Sequence, residues 1–328
     1  MQLSDHFDVL LKDTVNLSRA KLDLLQIRAD AVSSALMADT EIGDLISGFT
    51  PQGSWAHRTI INPQNGKEFD ADILLDMDEV DGWEAKDYIE QVYRALGRHG
   101  TYSAMPHTRK CRCVRLTYAN SMHIDIVPHL HLADGREVIV NRDLNEWETT
   151  NPTGFTDWMR AKDSVTDGNL RKVIRLVKYL RDHKNSFTGT PSIIITTLLG
   201  DRVDEISKLV RPDYYGNVPK ALLHLISDLD AWLQQQWTKP SVADPSSPGT
   251  TFDHRWEDAS YEYFRNRVHA HAAEIAAAYS EPDKAKSVEL WQGIFGSGFA
   301  APATTGDAAA FGTSQGAAST IRRPGRAG

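Results

Sequence analysis

One run of seven residues restricts the fold more than any other part of the chain. It reads Phe69-Asp-Ala-Asp-Ile-Leu-Leu75, and polar and apolar residues alternate along its first half. This period of two predicts a β-strand, and Asp70 and Asp72 then project from the same face. Two neighbouring carboxylates repel each other unless a cation lies between them. Because hard oxygen ligands suit Mg²⁺, with Mn²⁺ as an alternative, the run predicts a divalent metal site on a strand.

A third carboxylate lies in a second strand-like run. Asp125 is flanked by Ile124 and Ile126 in the sequence His-Ile-Asp-Ile-Val. A carboxylate in an apolar strand needs a charged or hydrogen-bonding partner, because burying it alone is costly. Together with Asp70 and Asp72 it would allow two metal ions to bind the attacking and leaving oxygens of a displacement reaction.

Two further features suit the binding of a triphosphate. Gly53-Ser54 combines a residue that lets the backbone approach a phosphate closely with a hydroxyl at the start of a helix. The predicted helix 169–183 is basic on one side. Its cationic residues are Arg171, Lys172, Arg175, Lys178 and Arg181. Alone, a Gly-Ser pair is typical of a plain turn and a basic helix of a solvated face, so the order of all these motifs carries the argument.

That order resembles the active site of the DNA polymerase β-like nucleotidyltransferase superfamily. Within it, the chain is similar to the bacterial cGAS/DncV-like nucleotidyltransferases (CD-NTases) of antiphage signalling (CBASS) systems, and also to oligoadenylate synthetases. The similar parts are a long N-terminal helix before Gln52-Gly-Ser54, the two aspartate strands, and a helical segment that includes Leu176-Val-Lys-Tyr-Leu-Arg181. The resemblance covers roughly residues 1–299.

The resemblance implies an α+β, bilobal fold with a mixed-sheet catalytic lobe and a helical lobe. Members of this family join nucleoside triphosphates, ATP often among them, into cyclic di- or trinucleotide second messengers and release pyrophosphate. By resemblance, Asp70, Asp72 and Asp125 hold the metals, and Asp125 helps to activate the attacking hydroxyl. The residues that the resemblance assigns to triphosphate binding are Gly53, Ser54, Lys178 and Ser192.

The chain of 328 residues is long enough for two lobes. We expect a nucleotidyltransferase lobe with an N-terminal spine helix over residues 1–160 and a helical lobe over residues 161–299. The sequence Asn151-Pro-Thr-Gly-Phe155 marks the change from mixed to helical patterns. Residues 300–328 are rich in Ala, Gly and Thr, which predicts a disordered tail.

Composition and charge exclude several classes of protein. The formal net charge of −8 disfavours a surface that coats nucleic acid, and no zinc-ribbon insert is visible, so we expect no activation by double-stranded DNA. The N-terminus has no signal-peptide pattern, and no run of about 18 apolar residues predicts a membrane span. These features favour a cytoplasmic enzyme. Cys111 and Cys113 are interpreted as small core residues on a strand.

Several residues near the aspartates have open roles. His107 lies nearby in sequence, and His123, His129 and His131 share the strand phase of Asp125. We expect these histidines to line a cleft or to face solvent rather than to bind a metal. Tyr118 and Tyr179 are candidates for stacking on a base, with core packing as the alternative.

Other functions remain open at this stage. A linear-product nucleotidyltransferase could act on RNA ends or on a small molecule, although the N-terminal helix and the helical lobe argue against the smallest enzymes of that type. A non-catalytic scaffold could bind nucleotides or a partner, although all three carboxylates are present. The resemblance also suggests two partners: a ubiquitin-transfer-like protein that conjugates the C-terminal tail, or a HORMA-domain activator.

Overall fold

The computed structural model describes residues 1–64, 66–119, 122–302 and 321–322. In chain order, the α-helices are α1 (Ser4–Leu10), α2 (Arg19–Met37), α3 (Gly53–Ala56), α4 (Ala85–Arg98), α5 (Pro152–Val165), α6 (Asn169–His183), α7 (Ser192–Asp201), α8 (Glu205–Val210), α9 (Val218–Gln234), α10 (Asp258–Ser280) and α11 (Lys284–Phe295). The strands are β1 (Ile46–Gln52), β2 (Phe69–Met77), β3 (His107–Arg109), β4 (Val114–Tyr118), β5 (Met122–His131), β6 (Glu137–Asn141), β7 (Glu146–Thr149) and β8 (Ile321–Arg322).

The strands form one mixed sheet. Its order is β3-β4-β5-β2-β1-β8, and β6 pairs with β5 and with β7. The strands β2 and β5 run parallel, whereas the other pairs are antiparallel. Nine of the ten residues of β5 are buried or half-buried, which is expected for a strand in the middle of a sheet. The strands β5 and β6 pair as a hairpin around Ala133-Asp-Gly135.

The amphipathic helix α4 packs against this sheet. Its buried residues include Tyr88, Ile89, Val92 and Leu96, which recur at helical spacing. A capping box satisfies the amide groups of its first turn: the Glu84 side chain and the side chain three residues later each bond to the other's backbone. The helix therefore covers one face of the sheet and leaves the strand ends free to carry polar groups.

The chain divides into two compact units at a place that differs from the expected boundary near residue 160. One unit, here called the sheet unit, contains Arg19–Thr153 and Gln315–Gly328; the other, the helical unit, contains Met1–Ser18 and Gly154–Ser314. The first 18 residues thus belong to the helical unit, whereas we expected them in the catalytic lobe. The chain becomes extended at Asn16, which ends the first helical segment before α2 begins.

Aromatic packing explains why residues 1–18 belong to the helical unit. The Phe7 ring lies edge-on to Trp291, Phe295 and Phe299, with centroids 4.9, 5.9 and 5.0 Å away. The Met1 amino group donates to the backbone carbonyl oxygens of residues 278, 279 and 281. These carbonyls lie at the C-terminal end of α10, where a helix favours a positive charge.

The two tyrosines proposed for base stacking both have packing roles. Tyr179 is 3% exposed, stacks on His183 and donates its hydroxyl to the backbone oxygen of Phe295. The Tyr118 ring lies 4.4 Å from the guanidinium carbon of Arg28. The core-packing alternative therefore describes Tyr179, and Tyr118 is engaged by a neighbouring cation.

The remaining predictions about the chain have mixed outcomes. Cys113 is buried as expected, but both cysteines precede β4 rather than lie on it, and Cys111 is only half-buried. Most of the tail predicted to be disordered, residues 303–320 and 323–328, lies outside the described residues. Within the described ranges, none of the helices has both the length and the apolar character that a membrane span needs.

Acid should destabilise the helical unit through His271. This imidazole is 3% exposed; its Nδ1 lies 2.9 Å from Glu274 Oε2, and its Nε2 lies 3.3 Å from Arg267 Nη2. Nε2 can accept from Arg267 only while it carries no proton. Burial lowers the pKa of His271, Glu274 opposes this, and Arg267 adds to it.

The folded-state pKa lies below the unfolded value, so the unfolded chain binds more protons as the pH falls through about 6.5. Stability should therefore decrease from pH 7.5 to pH 5, with a limiting slope of about 1.4 kcal/mol per pH unit from this group. Thermal melts across that range should show a smaller pH dependence for His271→Gln, whereas His254→Gln, at an exposed site, should behave as the parent. Equal pH dependence in all three proteins would contradict the assignment.

Candidate active site

The parallel pairing of β2 with β5 brings the three predicted carboxylates together. In the strand register Asp72 lies opposite Asp125, and Asp70 lies opposite His123. Asp70 and Asp72 are two residues apart on β2, so both project from the face that carries Asp125. The sheet unit alone therefore assembles all three acidic residues.

The antiparallel strand β4 adds a cation that the sequence analysis did not single out. Arg115 lies opposite Asp125 in the register. Its Nε donates to Asp125 Oδ1 at 2.8 Å, and its Nη2 donates to Asp125 Oδ2 at 2.7 Å, so the guanidinium binds both carboxylate oxygens. Arg115 Nη2 also lies 3.6 Å from Asp70 Oδ1. A signal for this residue existed, because a hairpin centred on residue 120 places Arg115 directly across from Asp125.

Negative carboxylates and one positive guanidinium lie next to each other in the site. The Asp125 side chain is 11% exposed, whereas that of Asp70 is 53% exposed at the rim of the sheet face. Partial burial raises the pKa of Asp70, Arg115 lowers it, and the negative charge of Asp125 raises it again. Hydrogen bonds to Asp125 hold the pKa of Arg115 above its ordinary value. Asp70 and Asp125 thus share Arg115 as a cationic partner, and solvent reaches the Asp70 carboxylate.

Cys113 borders the same group of carboxylates. Burial raises the pKa of its thiol, and the negative charges of Asp125 and Asp72 raise it further. The thiol therefore stays protonated at neutral pH and acts as a small apolar group. It packs with Leu74 and Val127, which are the next residues along the same face of β2 and β5.

The backbone at Gly53 lies next to the Asp72 carboxylate. Gly53 has φ +62°, a conformation that favours glycine, and it begins α3 directly after β1. A Cβ atom built on Gly53 would lie 2.4 Å from Asp72 Oδ2. Only a residue without a side chain can therefore occupy this position while Asp72 keeps its place. Ser54 follows in the first turn of α3 and is half-buried.

Hydrogen bonds at the N-terminal ends of β2 and β5 position the outer part of the site. His123, opposite Asp70, lies with its Nδ1 3.1 Å from Thr117 Oγ1. Its Nε2 contacts the carboxylate of Glu68. The imidazole is therefore held on both sides, and it borders the carboxylates next to Asp70.

The helical unit contains the other predicted phosphate-binding residues. Lys178 on α6 is 6% exposed, which is unusual for a lysine on a solvated face. Ser192 begins α7, and its hydroxyl accepts a hydrogen bond from Arg181 Nη1 at 3.1 Å. Arg181 also donates to the backbone oxygen of Thr190 and pairs with Asp182. Arg181 thus ties α6 to the start of α7 beside Ser192.

The basic helix is therefore not the solvated face that its sequence alone would suggest. Arg171 pairs with Asp163 at 2.6 Å, with both side chains largely buried. Arg175 is also buried, and its desolvation lowers its pKa to about 10, although Asp163 opposes the shift. Several of these cations therefore balance charges within the helical unit. Lys178 stays the predicted phosphate ligand from this helix.

The three carboxylates of the site suit a divalent cation. Asp70, Asp72 and Asp125 offer oxygen atoms from two neighbouring strands on one face. Burial raises the pKa of Asp70, and the negative charge of Asp125 adds to this rise. Gly53 leaves open the space next to Asp72 that a side chain would fill. A purely oxygen-based donor set is the chemistry preferred by Mg²⁺ and Mn²⁺.

Comparisons with known proteins agree with this geometry. Residues 1–163 match the family described as the Second Messenger Oligonucleotide or Dinucleotide Synthetase (SMODS) domain. The chain is 23% identical over 331 residues to a c-di-GMP synthase of Roseivirga ehrenbergii, covering 88% of this chain and 84% of that protein. It is also 23% identical over 255 residues to a cyclic AMP-AMP-AMP synthase of an Acinetobacter species, covering 75% and 71%.

Solved structures share the fold. CdnC of E. coli MS115-1, solved with ATP, superposes with a TM-score of 0.69 at 20% identity, covering 92% of this chain and 100% of that one. The same protein in a complex with HORMA-deltaN gives a TM-score of 0.68 at 19% identity, covering 90% and 98%. At this level of identity, the similarity shows that the chain has the fold of these proteins.

Replacing Gly53 with alanine should lower the stability of the protein more than the strain of a positive φ alone would. Gly66 provides a matched control, because it has φ +72° but nothing lies within 4 Å of its built Cβ. Gly66→Ala should cost about 1 kcal/mol from the unfavourable backbone conformation. Gly53→Ala should cost about 3 kcal/mol, because Asp72 or the backbone must also move. Thermal melts of the two variants measure the difference, and equal losses would contradict the close approach.

Removing Arg115 should leave Asp125 as an uncompensated, largely buried charge. Arg115→Met should lower the free energy of unfolding by about 2 kcal/mol, less than for a fully buried pair because the guanidinium is partly exposed. Adding Asp125→Asn should recover much of this loss. Arg112→Met, which breaks the similarly exposed pair with Glu148, is the control and should cost less. Denaturant titration of the parent, Arg115→Met, Asp125→Asn, the double variant and the Arg112→Met control tests the coupling; additive losses at Arg115 and Asp125 would disprove it.

Proposed function

The chain belongs to the cGAS/DncV-like nucleotidyltransferases, and from this premise we propose that it joins nucleoside triphosphates into a cyclic di- or trinucleotide and releases pyrophosphate. ATP is proposed as one of the substrates. The observation that carries the proposal is the register of β2 and β5, which sets Asp72 opposite Asp125 with Asp70 on the same face. The α+β fold with a mixed-sheet unit and a helical unit agrees with it.

In this proposal Asp70, Asp72 and Asp125 hold Mg²⁺, or Mn²⁺ in its place. When bound, the metal would neutralise charge on the phosphates and on the attacking and leaving oxygens. Gly53 and Ser54 bind the phosphates of the donor nucleotide, because Gly53 gives the backbone close access beside Asp72.

Lys178 and Ser192 are proposed to bind the triphosphate as well. Lys178 supplies a positive charge, and Ser192 supplies a hydroxyl at the start of α7 whose position Arg181 fixes. A phosphate at that helix start would meet backbone N–H groups that have no partner within the helix.

Asp125 is proposed to help remove the proton from the 2′- or 3′-hydroxyl that attacks the donor. Arg115 orients the Asp125 carboxylate through two hydrogen bonds. Because the same arginine lies 3.6 Å from Asp70, it also limits the repulsion between the acidic groups before substrates bind. A second attack, by the free hydroxyl of the linear product on its own 5′-triphosphate, would close the ring.

The product would act as a second messenger in antiphage defence, and we place the enzyme in the cytoplasm, where nucleoside triphosphates are abundant. Two partners fit this role: a HORMA-domain activator, and a ubiquitin-transfer-like protein that conjugates the C-terminal tail. A chain without its last three residues, Arg326–Gly328, should form no covalent adducts with such a protein but should keep its synthase activity. Adducts that persist after this truncation would contradict conjugation at the terminus.

Product analysis tests the proposed reaction. The purified chain with Mg²⁺ and all four labelled ribonucleoside triphosphates should give a phosphatase-resistant product whose mass corresponds to a cyclic nucleotide. The variant Asp70→Asn/Asp72→Asn should lower the rate by at least about 10³-fold, because the metal-binding oxygens are lost. The same variant should melt slightly higher than the parent without metal, since it carries fewer like charges.

Asp81→Asn, at an exposed site in the loop after β2, is the matched control and should keep full activity. A phosphatase-sensitive product would favour the linear-product transferase. A lack of product even with the HORMA-domain partner present would favour the non-catalytic scaffold. Product from the double variant at the parental rate would disprove the metal assignment.

A further inference from the structure

Three side chains with metal-binding atoms meet where β5 turns into β6. They are His129, His131 and Glu137, and one ligand atom of each lies within 4.8 Å of the others. His131 lies opposite Glu137 in the hairpin register, and His129 is two residues away on the same face of β5. The sequence analysis expected these histidines to line a cleft or to face solvent, so this grouping comes from the structure.

Two carboxylates flank the buried imidazole of His129. The residue is 2% exposed, and its Nδ1 lies 2.7 Å from Asp76 Oδ1, on the residue opposite it in β2. Its Nε2 makes no hydrogen bond among the described residues, although Glu137 Oε1 lies 3.0 Å from it. With the ring proton on Nδ1, toward Asp76, the Nε2 lone pair and the Glu137 carboxylate would face the same point, which suits a cation bound by both. An imidazolium that donates to both carboxylates is the alternative, and the experiments below distinguish the two.

We propose that His129, His131 and Glu137 bind a late first-row divalent cation, with Zn²⁺ as the best fit. Two imidazoles and one carboxylate are a common zinc donor set, and a water molecule would complete a tetrahedron on the side of the exposed His131. In the metal-bound form, Asp76 would hold the proton of His129 on Nδ1, as carboxylates do for histidines that bind zinc. Zinc bonds of about 2.0–2.1 Å require ligand atoms about 3.4 Å apart, so the exposed His131 must move inward slightly.

This site is separate from the carboxylates of the active site. Both lie on the same face of β2 and β5, but Leu74 and Val127 pack between them. His129 is four residues beyond Asp125, which corresponds to about 13 Å along a strand. Nitrogen ligands also distinguish the two sites, because imidazole favours zinc over magnesium. A metal here would cross-link β5 to β6, and the contact between His129 and Asp76 would connect this link to β2. The cross-link would lie at the far end of the strands that carry the proposed catalytic aspartates.

A direct metal titration tests the proposal without relying on enzymatic activity. The full-length chain with Asp70→Asn/Asp72→Asn serves as the parent, so that the active-site carboxylates contribute little. After chelation and desalting, Zn²⁺ is titrated against a chromophoric chelator, and Co²⁺ is added in a parallel experiment. We expect about one tight site per chain, a visible absorption band typical of tetrahedral Co²⁺, and a higher melting temperature with Zn²⁺.

Variants locate the site. His131→Gln should weaken Zn²⁺ binding at least tenfold and remove the cobalt band; since His131 is exposed, the variant should still fold. Asp76→Asn should weaken binding by about 10- to 100-fold. His107→Gln, a histidine on β3 in the same unit, should bind as the parent. The proposal fails if His131→Gln binds Zn²⁺ like the parent. It also fails if the parent shows no binding below about 10 µM, or if ¹⁵N NMR shows His129 as an imidazolium at saturating Zn²⁺.

Discussion

The parallel pairing of β2 with β5 is the constraint on which the functional part of this protein depends. The acidic side chains of these two strands repel each other, and Arg115 on the next strand offsets part of this repulsion by binding Asp125. A slip of one residue would turn Asp125 to the opposite face. The register is held by apolar residues on both faces: Ala71 and Ile73 on one, Leu74 and Val127 on the other.

The residues next to these strands also contribute to the arrangement of polar groups on this face. Gly53 begins α3 directly after β1 in a conformation that brings the backbone to Asp72. The proposed phosphate-binding turn and the proposed metal-binding strand therefore meet without an intervening side chain. Farther along the same face, the apolar layer of Leu74 and Val127 gives way to a second polar group around His129. One strand pair thus positions two groups of different chemistry, one of oxygen ligands and one mainly of imidazoles.

The sequence predicted these strands because their pattern is local. Alternation predicted β2 and the aspartate face, and the basic helix predicted over residues 169–183 is α6. Arg115 was missed because its importance depends on pairing with β5, which is a long-range property. The N-terminal segment was expected in the catalytic lobe, whereas Phe7 packs in the helical unit. A helical period does not indicate which core such a residue joins. The pairing of Asp76 with His129 was equally invisible, because it requires the register of two strands separated by about fifty residues.

We propose that Asp70, Asp72 and Asp125 form one metal site that binds a nucleoside triphosphate. A crystal structure of the chain with Mn²⁺ and a non-hydrolysable ATP analogue, phased with the anomalous signal of manganese, would test this directly. We expect an anomalous peak in contact with oxygens of all three aspartates and of the triphosphate, with the phosphates next to Gly53. A triphosphate bound away from these carboxylates, or manganese that contacts none of them, would contradict it.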